Sequence, residues 1–311
     1  MAQDMPATRL PHIAIVTAAA ARELDEDLPP LVTALRAHSG VRFAIVNWDD
    51  AGVDWSQYDV AVLRSTWDYS LRLGEFLDWA TRIAAQTHLL NPFAVVRWNT
   101  DKHYLHELAA AGVRTVPSDF IEPDDAAESE LDAFLARHPA AEFVVKPAIG
   151  AGSRDAQRHA REDVHAALSH VRRLQGARRS VLLQPYLARV DAAGETALIF
   201  FEGRFSHAIR KGPLLRRGEG PTRALFATEH ITARTPQPAE RALAEATLAA
   251  MPFPQPLLYA RVDLIGADDG SPCVLELELT EPSLFFDHDA GAAERFASAL
   301  VARAHALIGA E

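Results

Sequence analysis

With a single cysteine in 311 residues, the chain cannot form an intramolecular disulfide. Cys273 sits in an apolar stretch, where a cysteine serves as a small hydrophobe, so thiol chemistry is not expected. A zinc-binding set is also missing. The thirteen histidines are dispersed, and the one close pair at helical spacing, His103 and His106, has no third ligand nearby and reads as a solvated helix face. No apolar run approaches the ~20 residues that a bilayer-spanning helix needs. The opening MAQDMPATRL lacks a signal-peptide core, so a cytoplasmic protein is expected, with no membrane partner. Positive charge is in deficit: 31 Lys and Arg against 42 Asp and Glu leave a formal net charge of -11, which argues against a nucleic-acid surface. Repeats and low-complexity tracts are absent. What remains is an ordinary soluble composition, long enough for two or three domains with cores of their own.

The first part of the chain reads as a small parallel α/β domain. Residues 12–18, 41–48 and 59–66 are short β-branched strands, and helical patterns occupy Leu28 to His38 and Leu73 to Gln86 before Asn91-Pro92 ends the unit. Ligands gather at the carboxyl ends of strands in such sheets, where Arg64-Ser65-Thr66-Trp67-Asp68-Tyr69 follows its strand directly. Arg64 either anchors a substrate carboxylate or pairs with Asp68 while Trp67 and Tyr69 cap a core. Helices follow over Thr100 to Ala111, Asp124 to His138 and Val164 to Leu174, with the strand AEFVVKPA among them. After Ser180 the pattern changes to antiparallel pairs and closes with an amphipathic helix from about Ala290 to Ile308. The fold class is therefore α/β with an α+β C-terminal half, divided into 1–95, 96–180 and 181–311.

One hairpin concentrates charge. Placing Asp269-Gly270 in a two-residue turn sets Asp268 opposite Ser271, Asp263 opposite Glu276 and Arg261 opposite Glu278. Alternation then puts Val262, Leu264, Leu275 and Leu277 on one face and Arg261, Asp263, Glu276 and Glu278 on the other. Carboxylates opposed in a sheet repel each other. Two readings account for them: a divalent cation such as Mg²⁺, completed by nucleotide phosphates, or a solvated face with Arg261 as counter-charge.

Two further segments carry charge beside glycine. The strand Phe143 to Lys146 runs into Pro147 and a small-residue loop, where Gly150 and Gly152 would let backbone N–H groups approach phosphate oxygens and Ser153 adds a hydroxyl. The loop fits neither the Walker nor the Rossmann pattern, and steric reasons alone also produce such loops. A second hairpin turns at Glu202-Gly203. It sets Phe201 opposite Arg204 and Glu195 opposite Arg210, with Leu198, Phe200, Phe205 and Ile209 as its apolar face. Arg210 either pairs with Glu195 or, with Lys211 and the basic Arg216-Arg217-Gly218-Glu219-Gly220 segment, reaches a transferring phosphoryl group.

Taken in order, Asp101-Lys102, Val144-Val145-Lys146-Pro147, the Gly-rich loop, Leu182-Leu183-Gln184-Pro185-Tyr186-Leu187, Gly194-Glu195, Arg210-Lys211, Arg261-Val262-Asp263 and Glu276-Leu277-Glu278 resemble the ATP-grasp superfamily of ligases along essentially the whole chain. The Arg64–Tyr69 stretch and Glu281-Pro282-Ser283-Leu284-Phe285 are similar to a glutathione-synthetase-like branch. The resemblance implies an N-terminal α/β domain followed by two α+β subdomains enclosing the nucleotide. It also implies ATP-dependent activation of a small carboxylate as an acyl phosphate, then C–N bond formation with a nitrogen nucleophile, within the same molecule or on a second one. The implied cofactors are ATP and Mg²⁺, with Mn²⁺ as a substitute. Lys102 and Lys146 are implied at the phosphates, Gln184, Pro185, Tyr186 and Leu187 at adenine, Glu195 at ribose, and Asp263, Glu276 and Glu278 at the metal. In this mechanism Arg261, Arg210 and Lys211 stabilise the transferring phosphoryl group, and Arg64, Ser65, Thr66 and Ser283 hold the substrate. Homodimers are common in the family. Two departures stand out: the usual Glu-x-Asn metal motif is Glu276-Leu277-Glu278, and a hinge position often held by Glu is Gln184.

Overall fold

The computed structural model describes residues 9–221, 230–254 and 256–309; most of the MAQDMPATRL opening lies outside them. Strands β1 (His12–Thr17), β2 (Arg42–Asn47), β3 (Val60–Ser65) and β4 (His88–Leu90) form a parallel sheet in the order β2-β1-β3-β4. Burial on both faces explains why β1 and β3 are apolar at successive positions. Ile13, Ile15, Val60 and Val62 pack with Leu31 and Leu35 of helix α1 (Leu28–Ala37) and with the C-terminal helix. Ala14, Val16, Ala61 and Leu63 pack on the other side against Trp48, Trp55 and, from helix α2 (Leu73–Ala84), Phe76 and Trp79.

The helix expected over Thr100 to Ala111 is the shorter α4 (Tyr104–Ala110); a further helix, α3 (Phe93–Asn99), precedes it, with Lys102 in the turn between them. Asp101 accepts the His103 backbone N–H at 3.2 Å, and the Lys102 N–H donates to the Ala148 carbonyl, so the turn satisfies its polar groups outside a helix. A second sheet follows, wholly antiparallel, from β5 (Asp119–Ile121), β6 (Glu142–Pro147), β7 (Gln157–Ala160) and β8 (Val181–Pro185) in the order β5-β8-β6-β7. Helices α5 (Ala127–Arg137) and α6 (Val164–Gly176) cover one face through Leu131, Phe134, Leu168 and Val171. Strand β8 lies beyond residue 180 yet hydrogen-bonds to β5 and β6, within this second sheet.

After the short α7 (Val190–Ala193), a third sheet forms from β9 (Glu195–Phe201), β10 (Arg204–Lys211), β11 (Ile231–Ala233), β12 (Tyr259–Gly266) and β13 (Pro272–Glu278). Its order is β11-β10-β9-β12-β13, antiparallel throughout. Helix α8 (Pro238–Ala249), with a Gln237–Glu240 capping box, packs Ala244 and Leu248 against one face. Helix α9 (Ala292–Ile308) covers the other with Phe296 and Leu300 and reaches back to α1.

Both hairpins differ from the two-residue counting by one β-bulge each. In β9–β10 the turn pairs Phe201 with Arg204 as expected, but an irregularity between Phe205 and His207 shifts the rest: Arg210 faces Thr196, and Glu195 faces Lys211. Ile209 thereby moves to the face of Ala197 and Ile199, away from Leu198 and Phe200. In β12–β13 the loop is three residues long, with Gly270 at φ +81 and the Ala267 N–H donating to Ser271. Asp268 therefore does not face Ser271. A bulge at Leu275 restores the count, so Arg261 still faces Glu278 and Asp263 still faces Glu276. Leu275 itself leaves the Leu277 face and packs near Ile265 and Cys273.

Strand β13 has β12 as its only sheet neighbour. Its other edge is closed from outside the sheet. Asn99 donates to the Leu277 carbonyl (2.7 Å) and accepts from the Leu279 N–H (2.6 Å), Tyr104 Oη accepts from the Leu277 N–H (3.0 Å), and residues 114–116 pair with Val274. Replacing Asn99 with Ala leaves a buried carbonyl and a buried N–H unpaired, which costs about 2–4 kcal/mol. Urea denaturation should show that loss of stability; a change under about 0.5 kcal/mol would show that the edge is held by other contacts.

Candidate active site

Between the second and third sheets lies a cleft of about 1510 Å³, open solvent included. Its character changes along the β12–β13 hairpin. Toward the turn, Ile265 and Leu275 join Val116, Val144, Leu187 and Leu214 in an apolar wall; away from it, Arg261, Glu276 and Glu278 face the basic side chains. The second sheet supplies Lys146 from the end of β6 and the Gly150–Ser153 loop. That loop turns through left-handed conformations at Gly152 (φ 60), Ser153 (φ 57) and Asp155 (φ 60). Asp155 is held by Arg173 (3.0 Å) and Arg179 (2.8 Å), and Arg179 also donates to the Ile149 carbonyl.

At the charged end the side chains interlock. Lys102 Nζ lies 2.8 Å from Glu276 and 2.9 Å from the Gly150 carbonyl, so it ties β13 to the glycine loop. Lys211 bridges Glu195 and Asp263, 2.6 Å from the latter. Arg261 spans both Asp263 oxygens (2.8 and 2.9 Å), meets Glu278, and donates to the Ser283 carbonyl at 3.0 Å. Lys146 has no ion-pair partner among the described residues, and burial lowers its pKa below the usual lysine range. The chain contains only three lysines, Lys102, Lys146 and Lys211, and all three line this cleft.

Burial sets the carboxylates apart. It pushes Glu195 up to about 8 and Glu278 up to about 7, although Lys211 and Arg261 oppose those shifts. For Asp263, burial acts upward but Arg261 and Lys211 outweigh it, and the carboxyl is held well below its ordinary range. Glu276 is likewise lowered, against burial, by Lys102 and Lys146. Glu281 is pushed up to about 8, by burial and then by Glu278.

Of the residues expected at the site, Lys102, Lys146, Gly150, Gly152, Ser153, Gln184, Pro185, Tyr186, Leu187, Glu195, Lys211, Arg261, Glu276, Glu278 and Ser283 all line the cleft. Gln184 turns its amide away to donate to Ser118 (2.9 Å), and Tyr186 packs its ring under the Arg158 guanidinium at 3.6 Å. Three expectations are corrected. Arg210 does not pair with Glu195 or line the cleft: the bulge turns it outward, where it donates to the carbonyls of Ala192 and Ala193 across Gly194. A Cβ at Gly194 would lie 2.8 Å from that guanidinium and 2.4 Å from the Lys211 carbonyl, so only glycine fits. Arg64 is fully buried and pairs with Asp27 (3.3 Å), not with Asp68, and with Ser65 and Thr66 it stands behind the cleft wall. Asp68 instead binds Trp48 and Arg72. Asp263 lies beneath the cleft surface, with both oxygens engaged. Arg217, from the basic segment, is tied to Glu142 at 2.6 Å. Both histidines of the pair are engaged in hydrogen bonds: His103 bonds Asp101 and Glu122, and His106 bonds the Ser118 carbonyl. Among the cleft residues that were not singled out as site residues are Trp67, Tyr69 and Glu281. Their signal was present in the Arg64–Tyr69 and Glu281–Phe285 stretches, where the two aromatic residues read as a core cap.

Among the described residues, no three His, Cys, Asp or Glu side chains stand close enough to ligate one ion. Glu276 and Glu278 do face the cleft beside the lysines. Two carboxylates completed by phosphate oxygens is the donor set that Mg²⁺ commonly accepts, so the residues fit that ion in the company of a nucleotide.

An apolar slot for a base, lysines from both sheets for phosphates, and cleft-facing carboxylates on a hairpin define an ATP-grasp ligase. A family model described as "D-cycloserine synthetase DcsG, N-terminal domain" matches residues 13–91. Cycloserine biosynthesis protein DcsG of Streptomyces lavendulae is 42% identical over 296 residues, covering 94% of this chain and 98% of the relative. The crystal structure of D-cycloserine synthetase DcsG superposes with a TM-score of 0.89 at 41% identity, over 94% of this chain and 99% of that one. An ATP-grasp ligase, PsnB, in complex with minimal precursor, Mg and ADP, shares the fold at a TM-score of 0.61 and 17% identity, over 94% and 98%. The chain belongs to the DcsG family of ATP-grasp ligases. Membership in that family makes it an ATP-dependent C–N ligase.

The raised Glu281 carboxyl has a pH signature. Its folded pKa of about 8 stands above the 4.5 of an ordinary glutamate, so between these values the folded state binds more protons than the unfolded state. This contribution to stability is present below pH 4.5 and is lost as pH rises toward 8. Melting temperatures measured from pH 5 to 8 should fall less steeply in Glu281→Gln than in wild type; parallel slopes would mean that Glu281 ionises normally.

Proposed function

We propose that this enzyme is an intramolecular cyclo-ligase, which phosphorylates the carboxylate of a small amino-acid derivative and closes a ring onto a nitrogen of the same molecule. The observation that supports this reading is the 42% identity to DcsG over 94% of this chain. D-cycloserine synthetase is the relative's activity; a substrate of the O-ureido-D-serine type is therefore the first to test.

In this reading the adenine occupies the apolar wall beside Leu187 and Tyr186. Glu195, bridged through Lys211 to Asp263, is assigned to the ribose in the same reading. Lys102 and Lys146 hold phosphates, with backbone N–H groups of the Gly150–Ser153 loop. Glu276 and Glu278 would hold Mg²⁺, which when bound would neutralise charge beside the phosphates. A substrate carboxylate oxygen attacks the terminal phosphorus and ADP departs, while Arg261 and Lys211 stabilise the charge on the transferring group. The substrate nitrogen then attacks the acyl carbon, loses its proton, and inorganic phosphate leaves. No covalent bond to the protein is needed; positioning and exclusion of water carry the catalysis. Cytoplasmic residence, where ATP is supplied, belongs to the same reading.

The deciding experiment measures ADP release with Mg²⁺ and ATP over D- and L-amino acids, O-ureido-serine among them, with and without an added amine. Release without amine, together with a product of ring-closed mass, is expected; strict dependence on the amine would establish an intermolecular ligase instead. Glu276→Gln should lower turnover by roughly 10²–10³-fold, the scale of losing one transition-state electrostatic contact. Full activity in that variant would refute the metal assignment.

A further inference from the structure

We propose that Glu281, together with Tyr69 and Trp67, forms the subsite that receives the α-ammonium group of the substrate, an assignment that rests on the amino-acid cyclo-ligase reading. Five carboxylates stand at or just beneath the cleft: Glu195, Asp263, Glu276, Glu278 and Glu281. The first four each have a lysine or arginine within ion-pair distance. Among the described residues, no basic side chain pairs with Glu281. It is only 8% exposed, and the group that meets its carboxylate is the Tyr69 hydroxyl.

Its placement is rigid. Trp67 Nε1 donates to the Glu281 carbonyl at 3.0 Å, and Tyr259 Oη donates to the preceding Thr280 carbonyl at 2.8 Å. On the far side, Asp27 accepts the Leu284, Phe285 and Phe286 N–H groups in succession. With the backbone held on both sides, the side chain cannot leave the cleft by a loop movement that costs little. A buried carboxyl lacking a counter-charge keeps its proton, and a cationic ligand can take that proton's place. The required ligand is a cation small enough to sit beside two aromatic side chains and close to Lys102 and Glu278, whose charges act on Glu281. In an α-amino acid the ammonium and the carboxylate share one carbon. A carboxylate offered to the phosphoryl group near Lys102 and Arg261 therefore brings its ammonium into this neighbourhood. The burial that pushes Glu281 up to about 8 is relieved by such a partner.

The test compares an amino-acid substrate with its desamino analogue in wild type, Glu281→Gln and Tyr69→Phe. For Glu281→Gln the KM of the amino acid should rise roughly 10–100-fold, the scale of one charge-assisted hydrogen bond, with the KM for ATP unchanged. The preference for the amino acid over the desamino compound should disappear. Tyr69→Phe should show a smaller rise in the same KM. Calorimetric binding of both compounds in the presence of a non-hydrolysable ATP analogue reads the subsite without turnover. Absence of wild-type turnover would sink the cyclo-ligase reading alone. Equal affinity of wild type and Glu281→Gln for the amino acid, no binding to wild type, or an equal loss for the desamino compound would overturn the subsite.

Discussion

The active cleft depends on how the free edge of β13 is held. A strand that must present carboxylates to a ligand cannot be covered on that face, and β13 has one sheet neighbour only. Left open, its backbone would be free to shift register or to recruit another strand. Side chains from far upstream replace the missing strand: Asn99 and Tyr104 bond Leu277 and Leu279. Asn91 reaches the carbonyls of Tyr259 and Leu279 and accepts the Leu258 N–H. These partners are more than 160 residues away in sequence. The segment that joins the parallel sheet to the rest of the chain thus becomes the clamp on the strand that carries Glu276 and Glu278.

The second constraint is charge. Several carboxylates and cations share a space that is largely closed to water, where an unpaired ion costs several kcal/mol. The chain meets this by chelation: Arg261 uses its planar fork across Asp263, Glu278 and the Ser283 carbonyl at once. A lysine in its place could not span that set. Asp263 is therefore best understood as the member that fixes Arg261 and Lys211 in direction, whatever else it contacts when phosphates arrive. The same logic recurs behind the cleft, where Asp27 takes the Arg64 guanidinium and three successive backbone N–H groups.

Much of this was legible in the chain because the informative signals are local. Alternation and an Asp-Gly turn were enough to bring Arg261, Asp263, Glu276 and Glu278 together. That pairing holds because the Leu275 bulge cancels a one-residue error at the turn. No such cancellation occurs in the neighbouring hairpin, and there the bulge near Ser206 exchanges the roles of Arg210 and Lys211. Bulges answer to packing on both faces of a sheet, here α8 on one side and α9 on the other, and a strand pattern does not register them. Arg64 was misplaced for a related reason: its partner Asp27 comes from the turn before α1, a neighbour that only the parallel sheet creates. Glu281 stood within a stretch that marked the resemblance, but its local sequence does not say whether its carboxylate faces a cleft or solvent.

The concentration of every lysine in the cleft bears on how this protein meets electrophiles. The rest of its basic surface is arginine, whose guanidinium stays protonated and is a poor nucleophile. Acylating or reductively alkylating reagents therefore find their side-chain amines only at the nucleotide site. Of these, Lys146 has its basicity lowered by burial and has no ion-pair partner among the described residues. Chemical labelling that consumes scattered surface amines in most proteins thus becomes here a report on a single cavity, and attachment through lysine would block the entrance it uses.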